Sequence, residues 1–106
     1  MNTLNDIFKK WDEIREKRQN RFSLKSDVEL GYNDSYYEIS VKELILKRID
    51  LKLSIDDVAD ALGISRQTLN AFETFRSKEN IFYVYTLRYL FNAYRAHLIA
   101  MEDGKK

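Results

Sequence analysis

The side chains with the clearest chemical potential in this sequence are hydrogen-bonding groups gathered in one short run. Arg66, Gln67, Thr68 and Asn70 follow one another with a single apolar interruption, and Ala71 closes the run. Arginine and glutamine each present two hydrogen-bonding atoms in a planar group, so they pair well with the edges of guanine and adenine. The chemistry predicted for this run is recognition rather than bond making.

Residue types that catalysis commonly uses are scarce. The chain of 106 residues has no cysteine and one histidine, His97. This removes thiol nucleophiles and thiolate metal ligands and leaves almost nothing for imidazole chemistry. We therefore expect a protein that is not an enzyme, with no catalytic residue, no metal site and no cofactor.

The composition is that of a folded, charged chain. The length of 106 residues has room for one domain and an accessory element. With 44% hydrophobic and 33% charged residues, the chain is expected to fold. No apolar run approaches the roughly 18 residues of a membrane span, and the N-terminus lacks the order of a signal peptide, so we expect a cytoplasmic protein with no membrane partner. Because proline is absent and only three glycines occur, the expected fold class is mainly all-α.

An apolar stripe with helical spacing runs through the first residues. Its members recur at steps of three and four and are Leu4, Ile7, Phe8, Trp11 and Ile14. The spacing predicts a helix from about residue 3 to residue 21, with Thr3 and Asp6 capping its start. The stripe fits two roles, packing on the domain's own core or pairing with its copy as a dimer contact.

The apolar period changes to two between Ser26 and Val41. The alternating residues on either side of a polar turn are Val28, Leu30, Tyr32, Tyr37, Ile39 and Val41. The alternation predicts a small β-hairpin, with an irregular acidic linker as the alternative. Residues 27–40 carry four acidic side chains and no basic one, which makes this segment a candidate contact for a protein partner.

Cap signals divide the remaining chain into four predicted helices. The capping residues are Ser40, Ser54, Ser65 and Asn80. Gly63 supplies a tight turn between the second and third of these helices, and Val58, Leu69 and Phe72 supply apolar anchors for a steep crossing. The polar run that opens the third helix then points away from this core, at the helix end that enters a major groove in helix-turn-helix proteins.

Residues 41–91 resemble the helix-turn-helix domain of the phage Cro and repressor-type (XRE) family. The segment Leu53–Glu73, with Gly63 at its turn, carries the resemblance. The resemblance extends to Arg48 and Glu73, which occupy the positions of a salt bridge seen in several members. It implies a lambda-repressor-like domain of four to five helices, preceded here by an N-terminal helix and the possible hairpin.

The resemblance also implies the organisation and the role of the chain. Residues 1–40 would form an extension for dimerisation or a protein partner, residues 41–91 the DNA-binding domain, and residues 92–106 a C-terminal helix extension with a frayed tail. Either extension, 1–40 or 92–106, could supply the dimer contact. The implied function is a transcriptional regulator that binds double-stranded DNA sequence-specifically, as a homodimeric repressor on a palindromic operator. The alternative is an antitoxin-like or inhibitor module that binds a protein.

Two sets of DNA contacts are expected from the matching positions. Arg66, Gln67 and Thr68 are expected to read bases, with Asn70 and Ala71 adjoining them. Phosphate contacts are expected from polar and basic residues on neighbouring segments, namely Lys42, Lys47, Ser65, Arg76, Ser77 and Lys78.

The sequence departs from the family pattern at four positions. Members often carry glutamine at the start of the second helix, where it donates to a phosphate, and this chain has Ile55. A glycine usually occurs in the loop after the recognition helix and a proline commonly follows, and here Phe75 and Glu79 stand instead. Lys52 replaces another frequent glycine.

Overall fold

Five α-helices make up the part of the chain that a computed structural model describes, which is residues 3–18, 29, 31 and 34–104. They are α1 (Leu4–Arg18), α2 (Tyr36–Asp50), α3 (Ile55–Leu62), α4 (Arg66–Glu73) and α5 (Ile81–Gly104). No β-strand occurs among these described residues. The all-α fold class predicted from the sequence is confirmed.

Side-chain caps begin several of these helices, as their sequences predict. At α3 the Ser54 hydroxyl accepts from the Asp57 amide at 3.2 Å, and the Asp57 carboxylate accepts from the Ser54 amide at 2.8 Å. Thr3 and Asp6 form the same reciprocal pair at α1. Each cap satisfies amides that have no partner inside the helix, which places the helix start at a defined residue.

The second half of the predicted hairpin is wrong, because residues 36–50 form α2. Ser35 caps this helix by accepting from the Glu38 amide at 3.1 Å, whereas the predicted cap Ser40 is buried inside it. Val41, Leu44 and Ile45 repeat at helical steps and enter the core. A short alternation of apolar residues fits both periods, and packing selects the helix. The first half, at Val28, Leu30 and Tyr32, lies outside the described residues.

Helix α1 packs on the same core as the other helices. Ile7, Phe8 and Trp11 are buried, and Trp11 is only 1% exposed. The rings of Phe8 and Trp11 lie against the ring of Tyr94 in α5, with centroid separations of 5.2 and 5.0 Å. Burial of these aromatic rings therefore fixes α1 to the rest of the domain.

Polar contacts reinforce this packing along α1. The Trp11 indole Nε1 donates to the Asp57 carbonyl oxygen at 3.2 Å. Lys10 forms an ion pair with Asp60 of α3. Arg15 donates a hydrogen bond to the Leu51 carbonyl oxygen, in the turn before α3.

The five residues considered for a dimer contact on α1 therefore face their own subunit. Three of them are buried, and Leu4 and Ile14 pack at the border of the core. The structure follows the first of the two interpretations of this stripe, in which the helix covers its own core. We do not place a dimer contact on these side chains, since reaching them would require α1 to leave the domain.

A carboxylate between α1 and α5 closes the aromatic cluster. Asp12 accepts a hydrogen bond from the Tyr94 hydroxyl at 2.8 Å, and its second oxygen lies 2.8 Å from His97 Nε2. Burial, together with the neighbouring Asp12 carboxylate, raises the pKa of Tyr94 well above its usual value. The single histidine is thus a partly buried packing residue that stacks on Tyr94.

Replacing Trp11 with alanine tests whether α1 belongs to the fold of the single subunit. We expect Trp11→Ala to lower the free energy of unfolding by about 3–5 kcal/mol, because it empties a large buried volume. Urea unfolding followed by circular dichroism measures the change. The control Glu13→Ala, on the exposed side of α1, should stay within about 0.5 kcal/mol of the parent. A Trp11→Ala loss that vanished on dilution would instead indicate a role between subunits.

Candidate nucleic-acid interface

A buried ion pair sets α4 against α2. Arg48 in α2 donates from Nε to Glu73 Oε2 at 2.9 Å and from Nη2 to Glu73 Oε1 at 3.0 Å. Its third nitrogen donates to the Leu53 carbonyl oxygen at 2.8 Å. Arg48 is only 6% exposed. The two residues named from the resemblance therefore form a bidentate salt bridge. The Leu53 carbonyl oxygen is a further partner of Arg48 that the sequence did not indicate.

The turn between α3 and α4 fixes how α4 lies against α3. Gly63 has a φ of 71°, in the left-handed region that suits glycine. The Ile64 amide donates to the Ala59 carbonyl oxygen at 3.0 Å, which closes the end of α3. Ala59 is buried, and its small side chain allows the close approach of the two helices.

Helix α4 has a buried face and an exposed tip. Leu69 and Phe72 are almost completely buried, whereas Arg66, Gln67 and Thr68 are exposed at the N-terminal end. The two adjoining residues of the run, Asn70 and Ala71, are half-buried. The structure thus brings all five predicted base-reading residues to one short helix and leaves its first turn open to solvent.

The hydroxyl groups at the start of α4 serve the helix itself. Ser65 Oγ accepts from the Thr68 amide at 3.1 Å, and the two hydroxyl oxygens lie 2.8 Å apart. The Thr68 hydroxyl is therefore engaged at the helix start, and Arg66 and Gln67 hold most of the donors at the tip.

An acidic neighbour of Arg66 was not foreseen from the sequence. Asp56, in the first turn of α3, has its Oδ1 3.7 Å from Arg66 Nε, and both side chains are about two-thirds exposed. Asp56 lies ten residues before Arg66 in the chain, and only the crossing of α3 and α4 brings them together. A carboxylate at this place opposes the approach of a polyanion and competes for the guanidinium.

The loop after α4 is held close to the end of that helix. The amides of Arg76 and Ser77 both donate to the Ala71 carbonyl oxygen, at 2.9 and 3.3 Å. Tyr37 of α2 contacts the end of this loop, where its hydroxyl accepts a hydrogen bond from the Asn80 amide at 3.0 Å. The side chains of Arg76, Ser77 and Lys78 are exposed on this loop.

Two of the predicted phosphate donors have partners inside the protein. Lys42 Nζ lies 2.6 Å from Asp34 Oδ2, and its hydrogen bond holds the pKa of Asp34 below the usual value. Lys47 Nζ donates to Asn92 Oδ1 of α5 at 3.2 Å. Each ammonium group has three donors, so phosphate contacts by Lys42 and Lys47 stay predictions alongside those of Ser65 and the loop residues.

The two positions where family members often carry glycine have left-handed backbone. Lys52 and Phe75 both have a φ of 60°. This conformation strains a residue that has a Cβ atom, by roughly 1–3 kcal/mol. Phe75 also packs on Tyr37, with a centroid separation of 6.4 Å, so part of this strain is offset by an aromatic contact.

Comparison with known families bears on the same segment. A family model described as Helix-turn-helix matches residues 44–74, which run from the middle of α2 to the end of α4. This segment is a helix-turn-helix of the Cro and repressor (XRE) type. No curated protein and no solved structure matches the chain. The helix-turn-helix is a DNA-binding unit, and α4 is its recognition helix.

The described residues form neither a cluster of metal ligands nor a membrane-spanning helix. Among them, no three His, Asp or Glu side chains are grouped closely enough to hold a metal ion. No helix in the same part of the chain is long and apolar enough to cross a membrane.

Removing Arg48 tests the buried pair. We expect Arg48→Ala to lower the free energy of unfolding by about 3–5 kcal/mol, because Glu73 would stay buried without its partner. Arg48→Lys keeps the positive charge but cannot make the two parallel hydrogen bonds to Glu73, and it should lower the free energy of unfolding by less. Urea unfolding measures both variants.

The matched control for Arg48 is an exposed pair. Lys10→Ala removes the ion pair with Asp60, whose side chains are more than half exposed, and should change stability by no more than about 1 kcal/mol. Equal losses for the Lys10 and Arg48 variants would contradict the importance assigned to burial.

Neutralising Asp56 tests its effect on DNA binding. We expect Asp56→Asn to tighten binding to a duplex of arbitrary sequence by up to about fivefold, because it releases Arg66 and removes a repelling charge. Fluorescence anisotropy at low salt measures the affinity. Glu102→Gln, which makes the same charge change at the far end of α5, is the control, and an equal gain there would show that only net charge matters.

Proposed function

We propose that the protein is a cytoplasmic transcriptional regulator that binds double-stranded DNA sequence-specifically and represses as a homodimer on a palindromic operator. The observation that carries this proposal is the exposed tip of α4, where Arg66 and Gln67 project from a helix whose other face is buried. Its position in a matched helix-turn-helix segment supports the same function.

The recognition step is a matter of hydrogen-bond pairing in the major groove. The tip of α4 enters the groove, where the Arg66 guanidinium suits the two acceptors of guanine and the Gln67 amide suits adenine. Thr68 adds a methyl contact, and Asn70 and Ala71 border the same bases. One such helix reads about four to five base pairs, so a palindrome needs two copies about 34 Å apart.

Orientation on the duplex comes from contacts with phosphates. The loop after α4 offers Arg76, Ser77 and Lys78, and the exposed Ser65 lies at the other end of the helix. These contacts fix the register of α4 without reading sequence. A dimer seated in this way covers a promoter, and repression follows from steric exclusion.

Selection from a random duplex library tests the reading of bases. The bound duplexes should share a palindrome, and Gln67→Ala should lose about 1–3 kcal/mol of discrimination at particular base pairs. The matched control is Lys78→Ala, which should weaken binding to all sequences alike and lower the salt slope by about one. A uniform loss for Gln67→Ala would contradict its assignment to base reading.

One observation favours a second candidate function. The Asp56 carboxylate beside Arg66 lowers the positive charge of the recognition surface, as suits an antitoxin-like or inhibitor module that binds a protein. A titration with the selected duplex at several salt concentrations separates the two. Specific affinity on the order of nanomolar with a steep salt dependence supports the regulator, and weak binding that ignores sequence supports the module.

A further inference from the structure

Helix α5 carries apolar side chains on two opposite faces. One face enters the core with Val84, Leu87, Phe91 and Tyr94, all of them buried. An amphipathic helix that only covers a core would be polar on its other side. The outer face of α5 departs from this pattern in its first half.

The outer face forms a continuous line, which we call the α5 stripe. Its members, all exposed and separated by steps of three and four, are Phe82, Tyr85, Tyr89, Asn92, Ala96 and Ile99. At 1.5 Å per residue the line is roughly 25 Å long. Steps of three and four over this length are the spacing of a seam between two helices.

A surface groove continues the stripe to one side. Phe82 and Tyr89 line it together with Leu4 of α1 and with Ala61 and Leu62 of α3. The groove is therefore walled by apolar residues from three helices, and the stripe is one edge of a wider apolar face.

The exposed area of this face can be compared with the area that a stable protein interface buries. Phe82, Tyr85 and Tyr89 are 67%, 60% and 65% exposed. An aromatic side chain offers roughly 200 Å², so the three leave roughly 400 Å² of surface in water, which already matches the largest apolar patch of a typical monomer. A stable interface covers about 800 Å² on each partner, and the groove and Ile99 extend the face toward that size.

The distribution of side-chain size along the stripe indicates its partner. Aromatic rings occupy the first half, at Phe82, Tyr85 and Tyr89, whereas the second half carries Asn92, Ala96 and the aliphatic Ile99. In a parallel pair the rings would crowd one another. In an antiparallel pair related by a two-fold axis near Asn92, Tyr89 of each copy would lie opposite Ala96 of the other, and Tyr85 would lie opposite Ile99.

We propose that the α5 stripe binds the α5 stripe of a second copy of this chain, antiparallel, with the two-fold axis near Asn92. The inference rests on the proposed function for the presence of a dimer, and it names the surface that forms it. It leaves α1 on its own core and the tip of α4 free on each copy.

Sedimentation of the full chain without DNA tests the surface. The parent protein should double its mass at concentrations on the order of micromolar, and Tyr85→Arg and Tyr89→Arg should each weaken the dimer at least about tenfold. The control Tyr36→Arg alters a tyrosine that is 71% exposed on α2, and it should leave the dimer intact. Circular dichroism confirms that each variant stays folded.

Cross-linking tests the direction of the pair. The chain has no cysteine, so one introduced thiol reports one position. Asn92→Cys, near the axis, should form a disulfide with its own copy on mild oxidation, and Phe82→Cys, far from the axis, should not. A parallel pair would cross-link at both positions.

Several outcomes would overturn the inference. These are a parent protein that stays monomeric, a dimer that survives both arginine variants, equal disruption by Tyr36→Arg, or cross-linking through Phe82→Cys. The sedimentation experiment uses protein without DNA. A negative result there would reject the dimer surface and would not bear on base reading by α4, which the DNA selection tests. Failure of the DNA selection with an intact dimer would reject the proposed regulator and keep the interface.

Discussion

The contacts of one arginine hold the whole helix-turn-helix arrangement in place. Arg48 comes from α2, Glu73 ends α4, and Leu53 precedes α3, so one guanidinium joins two helices and the segment that leads into a third. A buried charge pair is costly to desolvate and persists only when its hydrogen bonds are fully made. Small rotations of α4 would break the fork. The exposed tip of the recognition helix therefore has a defined direction before any ligand arrives.

The aromatic cluster of α1 and α5 provides the frame behind this motif. Trp11 fills the space between α1 and α5 and reaches α3 through its indole nitrogen, while Asp12 satisfies the buried Tyr94 hydroxyl. Since a buried polar group must find a partner, these contacts favour one placement of α1 over others. The frame uses the inner face of α5 and leaves Phe82, Tyr85 and Tyr89 of its outer face exposed.

Electrostatics at the proposed interface is balanced rather than strongly positive. Asp56 stands beside Arg66, and Lys42 and Lys47 have partners on other parts of the protein. Exposed candidates for phosphate contacts lie on the loop after α4 and at Ser65. Such a surface gains little from general attraction to a polyanion, so the proposed binding would depend more on specific pairing with bases and on the presence of two copies.

The sequence by itself determined the local features of this protein. Ser54, Ser65 and Gly63 set helix ends through contacts within a few residues, and the polar run of α4 and the family resemblance could be recognised without coordinates. Only the tertiary structure decided that residues 36–41 are helical, that α1 covers its own core and that Asp56 meets Arg66. These outcomes depend on which faces pack together, because short apolar patterns suit more than one partner until burial selects one.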